Sequence, residues 1–327
     1  MTDIDRAAEI LRAGGLVAFP TETVYGLGAD ATRSDAVLRI FEAKGRPADN
    51  PLIAHVADEA MARRYASQWP DSAEHLTRKF WPGPLTLVVP ASSIIAKEVT
   101  AGGPTVGLRA PDHPIAQALL RAFDGPIAAP SANRSERISP TTAEHVRAEL
   151  GDHVDLILNG GPCRVGIEST VLDLSGGMPT ILRPGAITLE QIAAEIGEVR
   201  LGVKQAGKVA ASPGQRPIHY APRLPSFRAR RTEFVSAVQQ LLQRQQKLAV
   251  LCLGPLEHAP REPIHFIVQL SELAESYAHE LYAALRSADE SGADAILIEM
   301  PPEEPQWLAV RDRLMRATKP FVLPDRS

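Results

Sequence analysis

Cysteine is almost missing from this chain: among 327 residues only Cys163 and Cys252 carry a thiol. They stand too far apart for a CxxC-type zinc motif or a disulfide framework, so a reducing, cytoplasmic setting is expected. Long apolar runs are missing too. None approaches the ~18 residues of a membrane span, and the segment opening Thr2-Asp3 lacks the basic-then-apolar order of an export signal, so no membrane role is expected. Neither sign of charge dominates. With 23% charged residues and a net charge of -4, the chain has no global pull toward nucleic acid or anionic lipid, and any contact with RNA has to come from a local patch.

Several catalytic signatures are absent as well. There is no GxSxG elbow, no HExxH and no close His/Cys cluster among nine histidines, which removes support for a serine hydrolase or a metalloprotease. Gly161-Pro162-Cys163-Arg164-Val165-Gly166 begins like a P-loop, but Ile167-Glu168 replace the Lys-Ser/Thr that must reach phosphate and magnesium. Gly26 to Ala31 matches GxGxxA. However, Pro20-Thr21-Glu22-Thr23 intervene after the preceding strand, and the next helical pattern starts only near Ser34, which argues against a dinucleotide fingerprint. Cys163 is read as a small packing residue.

What is present is an ordinary globular composition, 44% hydrophobic, in a chain long enough for two cores. Ile4, Ala8 and Leu11 predict a first helix behind Thr2-Asp3. Short apolar runs then alternate with helical patterns as far as Leu189–Ile196. The expected strands lie at Leu16–Phe19, Leu52–Val56, Leu85–Val89, Val106–Arg109, Pro126–Ala129, Asp155–Leu158, Thr170–Leu174 and Thr180–Arg183. Residues 1–200 therefore read as one α/β domain. From Val199 to Thr232 there are eight Lys or Arg and no acid, centred on Ala210-Ala211-Ser212-Pro213-Gly214-Gln215-Arg216-Pro217, so 201–228 reads as a linker. Residues 229–327 read as a smaller α/β domain, with strands near 248–253, 265–268 and 295–299 in a parallel sheet.

Some stretches exceed what connections require. Between two apolar elements, Pro20 to Gly28 holds an acid and a tyrosine that a plain turn does not need. Lys44 and Arg46 end a helix, where they either complement its dipole or clamp an anion. Arg109 closes an apolar strand, the place where α/β sheets bind ligands, or else it forms a surface ion pair. Ala129-Pro130-Ser131-Ala132-Asn133 leaves a strand into hydroxyl and amide groups that suit a ligand or an ordinary turn.

Taken in order, PTETVYGLG (20–28), KGRP (44–47), PLIAHV (51–56), WPGPLTLVV (81–89), VGLRAPDHP (106–114), APSAN (129–133), ESTVLD (168–173) and ILRPGAI (181–187) resemble the YrdC-like threonylcarbamoyl-AMP synthase family. SPGQRPIHYAP (212–222) and the α/β tail resemble its longer, two-domain branch. The resemblance implies a YrdC-like twisted open α/β domain, a linker that can act as an active-site lid, and a Rossmann-like α/β domain. It implies condensation of L-threonine, bicarbonate and ATP into threonylcarbamoyl-adenylate and pyrophosphate, for N6-threonylcarbamoyladenosine at position 37 of tRNAs.

By matching motif position, L-threonine is expected at Thr23, His55, Arg109, the backbone of Ala129, and Ser169. ATP is expected at Arg46, Asn50, Thr105, Ser131, Asn133, Ser139, Arg183 and Tyr220, with Lys44 and Arg46 acting in the chemistry. Mg2+ is expected mainly on the ATP phosphates, with no metal site of the protein's own. The downstream tRNA threonylcarbamoyl transferase machinery is an expected partner, and weak RNA contact is allowed. Threonine's carbamate is already anionic, so the absence of a nucleophile motif suits this chemistry.

Two departures stand out. Glu136 stands where the family has glycine, and Gln306-Trp307-Leu308 replace a glycine-rich stretch before the last helix. Two rivals remain: an RNA-binding module, and the carbamoyl-adenylate chemistry of hydrogenase maturation, whose zinc modules two cysteines cannot build.

Overall fold

Helix α1 (Asp3–Arg12) begins where Thr2 accepts the Asp5 N–H and the Asp5 carboxylate takes the Thr2 N–H in return, a capping box. It buries Ala7, Ala8 and Leu11 along one face. The computed structural model describes residues 2–47, 49–202, 219–244, 246–256 and 263–322. These fall into two compact units, one of residues up to 135 with 139–202, the other of 136–138 with 219–322.

The first unit continues with β1 (Val17–Phe19), β2 (Gly26–Asp30), α2 (Ser34–Lys44), β3 (Ile53–His55), α3 (Glu59–Arg63), α4 (Asp71–Phe80), β4 (Leu85–Pro90) and β5 (Thr105–Arg109). It closes with α5 (Pro114–Phe123), β6 (Ile127–Ala128), α6 (Ala143–Leu150), β7 (Leu156–Ile157), β8 (Thr170–Asp173), β9 (Thr180–Arg183), α7 (Leu189–Ile196) and β10 (Arg200–Leu201). Among the described residues these strands form one sheet in the order β10-β9-β8-β4-β5-β3-β6-β2-β1-β7. Parallel pairs (β3 with β5, β4 with β8) alternate with antiparallel ones (β4 with β5, β3 with β6).

Side chains alternate across the sheet. Ala54, Leu87, Val89, Leu108 and Leu172 join the main core on one face, while Ile53, Val88 and Val171, backed by Leu182, form a small cluster on the other.

The Gly26–Ala31 match to a dinucleotide motif is explained by packing. Residues 26–30 are β2, antiparallel to β1, and a Cβ on Gly28 would come within 2.7 Å of Ile127 Cγ2 and 2.8 Å of Phe19 Cε1. Glycine lets neighbouring side chains close over the strand here.

The second unit consists of β11 (Ser226–Arg230), α8 (Arg231–Gln243), β12 (Leu248–Leu253), β13 (Phe266–Leu270), α9 (Ala274–Asp289), β14 (Ala295–Met300), α10 (Leu308–Ala317) and β15 (Lys319–Pro320). Its sheet, β13-β12-β14-β11-β15, is parallel throughout. Phe234, Val238 and Leu241 of α8 pack on Leu248, Val250 and Leu297. β11 starts inside the stretch read as linker, and the Ala210–Pro217 centre of that stretch lies outside the described residues.

Glu136 takes φ +69°, the left-handed conformation that glycine enters without penalty, and its carbonyl accepts the Ala221 N–H at 2.9 Å. Trp307 is buried edge-on against Tyr277.

Candidate active site

The turn between β1 and β2 is built by Thr21. Its hydroxyl accepts the Thr23 and Val24 N–H groups, donates to the Val24 carbonyl at 2.6 Å, and lies 2.8 Å from the Thr23 hydroxyl. Such a side chain mimics a backbone turn. Tyr25 anchors the far end of this loop: its hydroxyl donates to the Gly161 carbonyl and accepts the Gly160 N–H. The acid and tyrosine that a plain connection would not need are therefore both engaged.

Glu22 and Arg109 form a fully buried ion pair, with Oε1 and Nη2 2.7 Å apart. The other Glu22 oxygen accepts the Asp112 N–H, and the Glu22 carbonyl accepts Val165 N–H. Arg109 also donates from Nη1 to Thr23 Oγ1 at 2.9 Å and from Nε to the Gly83 carbonyl. A guanidinium carries five N–H donors, and these contacts use three. The other two can serve a ligand.

His55, opposite Arg109 in register, packs edge-on against Phe19. Burial, reinforced by the nearby Arg109 charge, pushes its imidazole down to about 3, so the ring is neutral, and its Nδ1 has no hydrogen-bond partner among the described residues. Ala129 spends its N–H on the Ile53 carbonyl, so its own carbonyl is the group a ligand can use.

Ser169 lies just before β8. Its hydroxyl is 2.8 Å from that of Thr86 and accepts Arg183 Nη2 at 3.1 Å, while its carbonyl accepts Arg183 Nε. Ser139 is buried and donates to Glu168 Oε1 at 2.6 Å.

At the other end of β5, Thr105 lies level with the entry to β3, where Arg46 donates to the carbonyls of Asn50 and Pro51. Lys44, delivered by the left-handed cap of α2 at Gly45, is buried and donates to the carbonyls of Ser131 and Asn133. Burial above all, and then the charge of Arg46, holds its ammonium well below the usual lysine range. Both cations thus do more than complement a helix dipole: they hold the loops of the site.

Sequence reasoning assigned no role to Glu22, Thr86 or Glu168. Each lies inside a quoted motif, and Thr86 is the one polar residue in the run Leu85 to Val89, a legible signal. Tyr220 belongs to the second unit, at φ +64°, where its ring stacks with Tyr282 and lies beneath the Arg313 guanidinium. Cys163 is buried, and burial pushes its thiol up to about 12, which removes it as a nucleophile.

Fold and site together define a class: a mixed α/β enzyme domain with a cation-rich buried polar web, followed by a smaller parallel α/β domain. The family model described as "Telomere recombination" matches residues 9–185, and that of the "Threonylcarbamoyl-AMP synthase, C-terminal domain" matches 187–318. Threonylcarbamoyl-AMP synthases of Pyrococcus abyssi and Bacillus subtilis are 42% and 44% identical to it, over 95% and 96% of this chain and 93% and 92% of their own. The structure of P. abyssi Sua5 complexed with L-threonine has a TM-score of 0.89 at 42% identity, covering 97% of this chain and 95% of that one. The chain belongs to the threonylcarbamoyl-AMP synthase family.

Proposed function

We propose that this enzyme condenses L-threonine, bicarbonate and ATP into threonylcarbamoyl-adenylate and pyrophosphate, supplying the tRNA threonylcarbamoyl transferase machinery in the cytoplasm. The observation that carries this reading is the pair of polar clusters at the two ends of β5, roughly 13 Å apart by strand rise, with a buried thiol far too basic to act between them.

L-threonine binds at the Arg109 end. Its carboxylate takes the two guanidinium N–H groups that Glu22, Thr23 and Gly83 leave unused. The neutral His55, Thr23, the Ala129 carbonyl and Ser169 surround its remaining polar groups. ATP lies toward Thr105, with Arg46, Asn50, Ser131, Asn133, Ser139 and Arg183 about its phosphates and sugar. Mg2+ travels on the phosphates as part of the substrate. Among the described residues no group of three or more His, Cys, Asp and Glu could hold a metal ion.

The threonine amine and bicarbonate first give the carbamate with loss of one water, and displacement at phosphorus follows. A carbamate oxygen bonds to the α-phosphorus, and the bond to the β-phosphate bridging oxygen breaks, its electron pair leaving with pyrophosphate. Lys44 and Arg46 offset the gathered negative charge, and because both are already held by backbone carbonyls, little reorganisation is needed as it develops. The acid-free basic stretch allows weak RNA contact. Among the described residues no helix is long and apolar enough to cross a membrane.

Pyrophosphate release tests the reading. It is expected to require both threonine and bicarbonate. Release that ignores threonine overturns the proposal, and tight RNA binding without turnover supports the binding module instead.

A further inference from the structure

Strand β5 reads Thr105-Val106-Gly107-Leu108-Arg109, and its odd-numbered positions share the face that also carries Ile53, Val88 and Val171. Gly107 is paired with Ile53 on one side and Val88 on the other, in the middle of the sheet, and it is only half-buried. Glycine weakens a central strand, and its usual excuses are a left-handed conformation or a neighbour that leaves no room. The first does not apply and the second applies only in part. Its φ is not among the positive ones, and a Cβ placed on it would lie 3.3 Å from Thr86 Cγ2, close enough that this side chain has to shift by a few tenths of an ångström, with Ile53 Cγ1 at 3.5 Å and Val88 Cγ2 at 4.0 Å in ordinary contact. Compare Gly185, where a Cβ would fall 2.3 Å from the Thr170 backbone nitrogen. There, packing demands glycine. Half-buried Gly107 leaves the sheet face low between Thr105 and Arg109, each two residues away, roughly 6.6 Å by strand rise.

We infer that Gly107 is the floor position beneath the reacting centre: its missing side chain lets the threonine-derived carbamate and the α-phosphate approach the sheet closely enough to meet in line. This rests on the placement of threonine toward Arg109 and nucleotide toward Thr105. A methyl group there leaves both ends of the groove in place and lifts only the junction. The loss therefore falls on bond formation, since a displacement of about 1 Å at reacting atoms can cost ~100-fold in rate.

The experiment is steady-state pyrophosphate release by full-length Gly107→Ala, Thr86→Ser and the double variant, with threonine and ATP varied separately and folding checked by thermal melts. The expected result is a kcat lowered about tenfold to a hundredfold, with both KM values within about threefold of wild type. Thr86→Ser keeps the hydroxyl that meets Ser169 but removes the methyl closest to the new Cβ, so it is expected not to restore kcat in the double variant. Wild-type kcat in Gly107→Ala, recovery on adding Thr86→Ser, or a change confined to one substrate's KM each overturns the inference. So does failure of both the single and the double variant to fold, which would make the glycine a packing residue. Failure of the underlying placement is read separately: threonine titrated against Arg109→Ala then shows unchanged affinity, whatever Gly107→Ala does.

Discussion

The two units bury charge in different ways. In the second, Arg313 is fully buried yet answered within the unit, by Asp312 at 2.9 Å and by the Tyr220 ring at 5.3 Å, and the Glu299 carboxylate accepts the Leu253 N–H. In the first, Lys44 is buried close enough to Arg46 for the second cation to depress it, and the partners of its ammonium are neutral carbonyls. Folding alone disfavours like charges side by side in a low-dielectric interior. A counter-charge beside the cation marks Arg313 as structural, whereas at Lys44 the larger neighbouring charge is a second cation, an arrangement suited to an anionic ligand. The Glu22–Arg109 pair stands between these cases, compensated like the second unit's charges yet with donors to spare.

That contrast breaks first at Arg109. Arg109→Ala strands a buried carboxylate and is expected to cost about 3–5 kcal/mol of stability. It should also lose roughly tenfold to a hundredfold in threonine affinity, from a charge-assisted contact of about 1.5–3 kcal/mol. Replacing both partners, Glu22→Gln with Arg109→Met, is expected to recover most of the stability and none of the binding. Calorimetric titration with unchanged threonine affinity in a folded Arg109→Ala protein would show the pair to be purely structural.

The matching test in the second unit is Tyr220. Removing its buried ring in Tyr220→Ala is expected to cost about 3–5 kcal/mol in denaturant unfolding. Tyr220→Phe keeps the stacking and the cation–π contact, so its stability is expected to stay near wild type. Wild-type stability of Tyr220→Ala would show that the ring is not part of the core.

His55 sharpens the comparison through pH. Its folded value of about 3 lies below the ordinary 6.5, so as pH falls the unfolded chain takes up the proton first. The stability this neutral ring contributes is complete above about 6.5 and is lost as pH falls toward 3, at ~1.4 kcal/mol per pH unit. Urea unfolding at pH 7, 6 and 5 should therefore be flatter for His55→Gln by that slope. An unchanged slope would mean the ring is not held neutral.

The smallest effect is expected at Glu136. Relieving its left-handed backbone in Glu136→Gly should gain up to about 1 kcal/mol, the conformational relief being partly offset by glycine's entropy. A loss of stability would show that the Glu136 side chain contributes more than its backbone costs.

Much of this was legible in the residues. The helix at 3–12 follows from its cap and 3.6-residue periodicity, those at 34–44 and 71–80 from periodicity, and the parallel tail sheet from strands alternating with helices. β2 was not legible. Its Gly-Leu-Gly-Ala-Asp sequence has little strand propensity and is held by pairing with β1 and β6, which local sequence does not display. Thr23, His55 and Arg109 could be grouped only through the resemblance to the family's motifs, and the partner of Arg109 could not be read, since Glu22 and Arg109 are 87 residues apart and only the sheet order brings them together.

By itself, then, the sequence determined most of the element types and the residues available for chemistry, because caps, periodicity and motif spacing are local properties. Tertiary structure alone decided which buried charges lie together. It joined Ser139 to Glu168 and Ser169 to Thr86, and it left a half-buried glycine in the middle of a ten-stranded sheet. The physical reason is that burial, and the partner each buried polar group must find, depend on strands far apart in the chain lying side by side.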